Sequence, residues 1–294
     1  MTRFSHVLIY AFLLFPVIFV AGCKSTETVS RESTDQEFIV PPLFDPTDSE
    51  RQVPVHEPID ADVDIDSLLN SMSLHDKIAQ LFVVPAYGSF TNENEMRYLR
   101  LKRLVAEENV GGIIFMQGDV YGQAAMTNEL QSLAKIPLWI TQDMEFGAAM
   151  RVRGTTRFTP AMGIAATQEP ENAYRKGVVT AREAKALGVH QIFAPVLDVN
   201  NNPDNPVINV RSYGGIPEIV ADYGNHFIRG IESEGLLATA KHFPGHGDTD
   251  TDSHLALPTI EHDFDRIQNL ELVPFRVNIE SGLQSIMSAH IAYQ

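Results

Sequence analysis

Cysteine occurs once in this 294-residue chain, at Cys23, so no disulfide can form within it. Cations are scarce as well. Only 22 Lys and Arg stand against 38 Asp and Glu. The formal net charge of −16 therefore argues against a nucleic-acid surface, which needs concentrated Lys and Arg against phosphate. No GxGxxG or Walker pattern follows any apolar run, which removes the phosphate-cradling turns of a nucleotide-binding sheet. The acidic "DTDTD" lacks the glycine and terminal glutamate that an EF-hand calcium loop needs at fixed spacing. Apolar residues are not scarce, at 44%, so a packed globular core is expected.

What is present starts with the run "VLIYAFLLFPVIFVAG" behind Arg3. It is short of the roughly 20 apolar residues that a spanning helix needs. It also contains Pro16, and residues 1–22 read as a cleaved export signal. The run ends in "VAGC", which resembles a bacterial lipobox and implies lipid attachment at Cys23. The competing reading is an incidental thiol at the end of an uncleaved anchor. Lipid chains contribute about 0.8 kcal/mol per buried CH₂, so more than one gives firm anchoring. Lys24, rather than an aspartate that would retain the chain at the inner membrane, follows Cys23 and favours the outer membrane. Residues 23–65 carry Pro41, Pro42, Pro46, Pro54, Pro58 and many acids, and read as an extended, self-repelling tether.

From residue 66 to 294 a rhythm sets in. "KIAQLFVVPA", "VGGIIFM", "PLWITQD", "VHQIFAPVLDV", "LLATAKHF" and "LQSIMSAHIAY" are six strand candidates. Between them, "ENAYRKGVVTAREAKAL" and "IPEIVADYGNHFIRGIESE" have helical spacing. Continuous apolar strands alternating with helices predict parallel pairing through right-handed crossovers. The polar segments that follow the strands fit a (β/α)₈ TIM-like barrel better than a doubly wound sheet. With about six strands the barrel is expected to be incomplete at its C-terminus.

The densest chemistry lies in "KHFPGHGDTDTDSH", residues 241–254. In an extended segment alternate side chains share a face, so His246, Asp248, Asp250, Asp252 and His254 can line one side. Three readings stay open on these residues alone: a metal site, a carboxylate–imidazole acid/base dyad, or a polar loop bonding its own backbone. A lysine at the mouth of an apolar strand adds an argument for a ligand with many hydroxyls.

This stretch closely resembles the signature of glycoside hydrolase family 3, in its β-N-acetylglucosaminidase branch. "QDMEFGAAMR", "FAPVLDVNNNPDNPVINVRSYG" and "IMSAHIAY" extend the resemblance over the domain. It implies a retaining exo-β-N-acetylglucosaminidase acting on terminal β-linked N-acetylhexosamine in peptidoglycan fragments or chitin-type oligosaccharides, without cofactor, metal or obligate protein partner. It further implies that His254 is the general acid and base, with Asp252 holding its imidazole. Asp143, Arg211, Lys241 and His242 would grip sugar hydroxyls, with Arg151 as a further candidate. Arg211 has an alternative role, a loop-bracing ion pair with Asp198 or Asp204. Asp198 is expected to tie its loop, and Trp139 to lie in the core. His290 is expected to face the pocket or to be a hydrogen-bonded barrel residue. His56, His75, His190, His226 and His262 are expected to be surface or packing residues.

The family's nucleophile is an aspartate after a seventh strand, and no Asp or Glu follows Glu280 here. The chain as printed is therefore expected to be truncated, with little or no turnover of its own. Phe146 stands where many members carry glycine. Two other classes remain: a non-catalytic glycan-binding surface lipoprotein, and a metal-dependent hydrolase using His242, His246 and His254. Phosphorolysis is a variant of the first reading, because an imidazole does not repel phosphate as a carboxylate would.

Overall fold

The structure is a computed structural model and describes residues 64–250 and 257–293. The signal, Cys23, the tether up to residue 63, Asp252 and His254 lie outside the described residues.

Helices α1 (Ile65–Ser71) and α2 (Leu74–Ala79) open the domain. A capping box starts α2, with Ser73 and Asp76 each accepting from the other's backbone N–H. Strand β1 (Val83–Gly88), helix α3 (Met96–Ala106), strand β2 (Gly112–Asp119), helix α4 (Val120–Leu133) and strand β3 (Trp139–Gln142) then alternate. A two-residue strand β4 (Val152–Arg153) and helix α5 (Ala161–Ala165) precede α6 (Glu171–Ala186) and β5 (Gln191–Ile192). Helix α7 (Pro217–Glu232) follows with proline in its first turn, where a missing N–H costs nothing. Strands β6 (Leu237–Ala238), β7 (Ala240–Phe243) and β8 (Thr259–Ile260) come next. Helices α8 (Phe264–Asn269) and α9 (Leu272–Glu280) and strands β9 (Ile286–Ser288) and β10 (Ala292–Tyr293) complete the order.

Every strand pair is parallel, as the apolar runs separated by helices predict. The main sheet runs β1-β2-β3-β5-β6, with β4 against β2, and β7 pairs with β9. Thr239 joins β6 to β7, and its N–H lies 3.0 Å and 3.1 Å from the carbonyls of Ile192 and Ala194. One path of successive neighbours therefore leads from β1 to β9, the α/β arrangement of a TIM-like barrel domain. The strands bury Ile113, Phe115, Ile140 and Ile192 completely, and α7 adds Phe227 from the helical layer. Each such side chain contributes about 1.5–3 kcal/mol by leaving water.

Two expectations need correction. "VHQIFAPVLDV" is not one regular strand, since ladder pairing covers only Gln191–Ile192 before Pro195, which has no N–H to offer. Pairing resumes where Leu197 N donates to the Lys241 carbonyl at 2.7 Å. Trp139 is not in the core: it is 44% exposed at the start of β3. Its ring stacks on His190 at 5.1 Å and its Nε1–H donates to Gln191 Oε1 at 2.7 Å, an acceptor available at the rim of the sheet. Among the described residues no helix is long and apolar enough to cross a membrane.

Candidate active site

The polar residues that follow the strands meet at the C-terminal ends of β3, β5 and β7. Asp143 follows β3 directly, Arg151 precedes β4, Arg211 closes a 3₁₀ turn after β5, and Lys241 and His242 belong to β7. Lys241 Nζ donates to Asp143 Oδ1 at 2.8 Å and lies 2.8 Å from Glu145 Oε1. Arg151 donates to the other Asp143 oxygen at 2.7 Å. Arg211 grips Glu145 with two parallel bonds, Nε to Oε2 at 2.8 Å and a terminal nitrogen to Oε1 at 2.7 Å. Such bidentate pairs are the strong form of the charged hydrogen bond. Lys241 and Glu145 form a floor with 3% and 4% side-chain exposure, and Asp143, Arg151 and Arg211 sit above it at 16–22%.

A second buried carboxylate organises the β7 loop. Asp198 is fully buried and accepts from His242 Nδ1 at 2.7 Å, His242 N at 3.2 Å and His246 N at 2.7 Å. Because the carboxylate accepts, His242 Nδ1 carries the proton, and Nε2 faces the Arg211 guanidinium at 3.5 Å. Asn205 supports the same loop from the far side, donating to the carbonyls of His246 and Gly247 at 2.8 Å and 3.0 Å. The two glycines of "PGHG" have separate causes. Gly245 has φ +152°, and a Cβ there would stand 2.8 Å from the Glu271 Cβ; at Gly247 it would fall 1.7 Å from the Val199 carbonyl oxygen.

Electrostatics hold these acids ionised. Burial alone would raise the Asp143 pKa, but Lys241 and then Arg151 outweigh it and leave it below the usual carboxylate range. Glu145 behaves the same way and more strongly, because burial is overcome by Lys241 and Arg211 together. In Asp198 the burial penalty is overcome by His242 and by the two backbone N–H groups. The net effect on Arg211 is upward: burial opposes its charge, and Glu145 more than compensates. The arrangement is a carboxylate flanked by fixed cations, suited to a neutral ligand whose hydroxyls both donate and accept.

Asp143, Arg151, Arg211, Lys241 and His242 thus come together in one cluster. Arg211 pairs with neither Asp198 nor Asp204 but with Glu145, 66 positions away, which the sequence reading missed. Its only local signal was its place in "QDMEFG". Asp198 ties the loop. His290 is exposed beyond β9, and His75 and His226 pair with Glu108 and Asp222. His242 and His246 meet edge to face at 5.9 Å, with their Nδ1 atoms turned to Asp198 and Thr249. Among the described residues, no group of three or more potential metal ligands gathers. A cavity of about 650 Å³ between β1 and α3 shares no lining residue with this cluster.

Residues 73–294 match the glycosyl hydrolase family 3 N-terminal domain. The β-hexosaminidase A of Pseudoalteromonas piscicida is 40% identical over 207 residues, 66% of this chain and 35% of that protein. A family 3 β-N-acetylglucosaminidase from Paenibacillus sp. str. FPU-7 superposes with a TM-score of 0.69 at 40% identity, covering 76% of this chain and 43% of that one. A β-glucoside phosphorylase superposes with a TM-score of 0.72 at 29% identity, covering 78% and 40%. The chain spans less than half the length of each of these three proteins. On the match to residues 73–294, the chain belongs to glycosyl hydrolase family 3.

Proposed function

We propose that this chain carries the sugar-gripping and proton-transferring parts of a retaining exo-β-N-acetylglucosaminidase. Its substrates are terminal β-linked N-acetylglucosamine residues of peptidoglycan fragments or chitin-type oligosaccharides. The observation that carries this reading is the Asp143–Lys241–Glu145–Arg211 cluster at the strand ends, two carboxylates interleaved with two cationic donors. The names of the β-hexosaminidase and β-N-acetylglucosaminidase relatives support the sugar class.

In this reading Asp143 accepts from two sugar hydroxyls, Arg211 and Lys241 donate, and Arg151 and His242 complete the grip. His254, steered by Asp252, protonates the leaving oxygen and then takes a proton from water. An imidazole with pKa about 6.5 does both near neutrality, without a carboxylic acid of raised pKa. Retention also needs a nucleophilic carboxylate. Asp143 and Glu145 are held in ion pairs and Asp198 accepts from His242, so the reading assigns that role to none of the three and requires a further carboxylate. Lipid on Cys23 and the acidic tether hold the domain at the bacterial cell envelope, on the outer membrane.

The same ion pairing favours a second reading, saccharide binding without turnover. Release of 4-nitrophenol from its N-acetyl-β-glucosaminide by the full-length protein separates the two. Hydrolysis should fall about 10²–10⁴-fold in His254→Ala. Turnover indifferent to that substitution ends the first reading, and calorimetric binding of N-acetylglucosamine without turnover establishes the second. With added phosphate the expected product remains the free sugar; sugar 1-phosphate would reassign the reaction to phosphorolysis.

A further inference from the structure

Asp248 stands where the β7 loop leaves the buried Thr249 for the exposed Asp250. Its Oδ2 accepts from His262 Nε2, 14 positions later, at 2.5 Å, and from Arg266 at 3.1 Å. Arg266 also donates to Glu271 at 3.3 Å, and the Glu271 side chain lies beneath Gly245 at the start of the same loop. On the return side, β8 pairs with β10 through Thr259 and Ile260. Asp263 caps α8 by accepting from the Arg266 N–H at 2.7 Å, which sets the helix that presents Arg266. The outgoing and returning strands of chain around residues 251–256 are therefore fastened to each other and to α8 and α9.

We propose that Asp248, His262 and Arg266 form a positioning clamp for the acid/base pair Asp252 and His254. The clamp rests on the assignment of those two residues made under Proposed function. None of its three members belongs to the cluster around Asp143, so it acts on proton transfer and not on sugar binding. Its chemistry is suited to that task. The Asp248 and His262 side chains are 21% and 28% exposed, sheltered enough for the bond to matter, while Glu271 at 2% fixes Arg266 from below. Arg266 is a poor residue to remove, because Glu271 would be left buried and unpaired. Asp248 and His262 can be cut with less collateral damage.

Leaving-group dependence gives the readout. A phenyl aglycone needs a proton as it departs and a 2,4-dinitrophenyl aglycone does not. In the full-length protein, His262→Ala and Asp248→Ala should each lower kcat/KM on the phenyl N-acetyl-β-glucosaminide by roughly tenfold or more. On the dinitrophenyl substrate the loss should be less than about twofold, because departure there needs no acid. His262→Gln, whose amide can still donate to Asp248, should recover most of the loss, and calorimetric N-acetylglucosamine binding should be unchanged in all variants. Equal losses on both substrates, no loss on either, or loss of saccharide binding would overturn the clamp. Should the wild-type protein turn over neither substrate, the proposed function fails and the clamp's role in proton transfer falls with it, and amide exchange then decides only whether the three residues fasten the loop. Exchange at residues 249–250, 257 and 259–262 should then quicken roughly tenfold in both alanine variants, as expected for losing one charged hydrogen bond, and unchanged exchange refutes the fastening.

Discussion

Glu145→Gln tests the floor of the site most directly. The wild-type carboxylate takes Lys241 and one Arg211 nitrogen on Oε1, and Arg211 Nε on Oε2, all within 2.7–2.8 Å. Glutamine keeps one acceptor but sets an NH₂ against another donor, and it withdraws the negative charge that two buried cations share. Breaking a buried ion pair on one side costs about 3–5 kcal/mol. For a domain of this size that corresponds to a fall in Tm of about 6–20 °C at pH 7. The pH dependence follows from the depressed Glu145 pKa. Its stabilisation is fully present above the unfolded value near 4.5 and is lost as pH falls towards the folded value. The Tm gap between wild type and Glu145→Gln should thus be constant from neutrality down to about pH 5 and narrow below it. Thermal unfolding followed by circular dichroism measures both. A gap at pH 7 under about 1 °C, or one that does not narrow on acidification, would refute the argument.

Two more substitutions probe the frame. Lys176 is fully buried, donates to the Thr159 carbonyl at 3.2 Å, and burial pushes its pKa down to about 8 despite Glu145. The cost of its charge is present below pH 8 and lifts as pH rises from 8 towards the unfolded value of 10.5, since the unfolded chain then holds the extra proton. Lys176→Met should be at least as stable as wild type at pH 7 and lose that advantage by about pH 10, as read by urea unfolding. Gly247→Ala should destabilise by roughly 3 kcal/mol or more, because the methyl group would overlap the Val199 oxygen; a midpoint close to wild type would contradict the packing.

The strands were legible because apolar runs such as "VGGIIFM" are continuous, although the structure buries Ile113 and Phe115 on one face and only half-buries Ile114 and Met116 on the other. Helices α6 and α7 were legible from their spacing. Lys241 and His242 stood out because a charge at the mouth of an apolar strand demands a partner. Glu145 carried no such mark. A lone acid in a loop gains meaning only from Arg211 and Lys241, which reach it across the mouth of the barrel, and no local periodicity encodes that meeting. Trp139 misled for a related reason: composition says that an indole is apolar, while its N–H drew it to Gln191 at an exposed edge.

The interleaved charges at the strand ends cancel. Arg151, Arg211 and Lys241 face Asp143 and Glu145, and Asp198, behind His242, is a third carboxylate whose field reaches Arg211. The mouth of the barrel is thus close to neutral in a chain whose formal charge is −16. An uncharged guest meets strong local dipoles there without a counter-ion to displace.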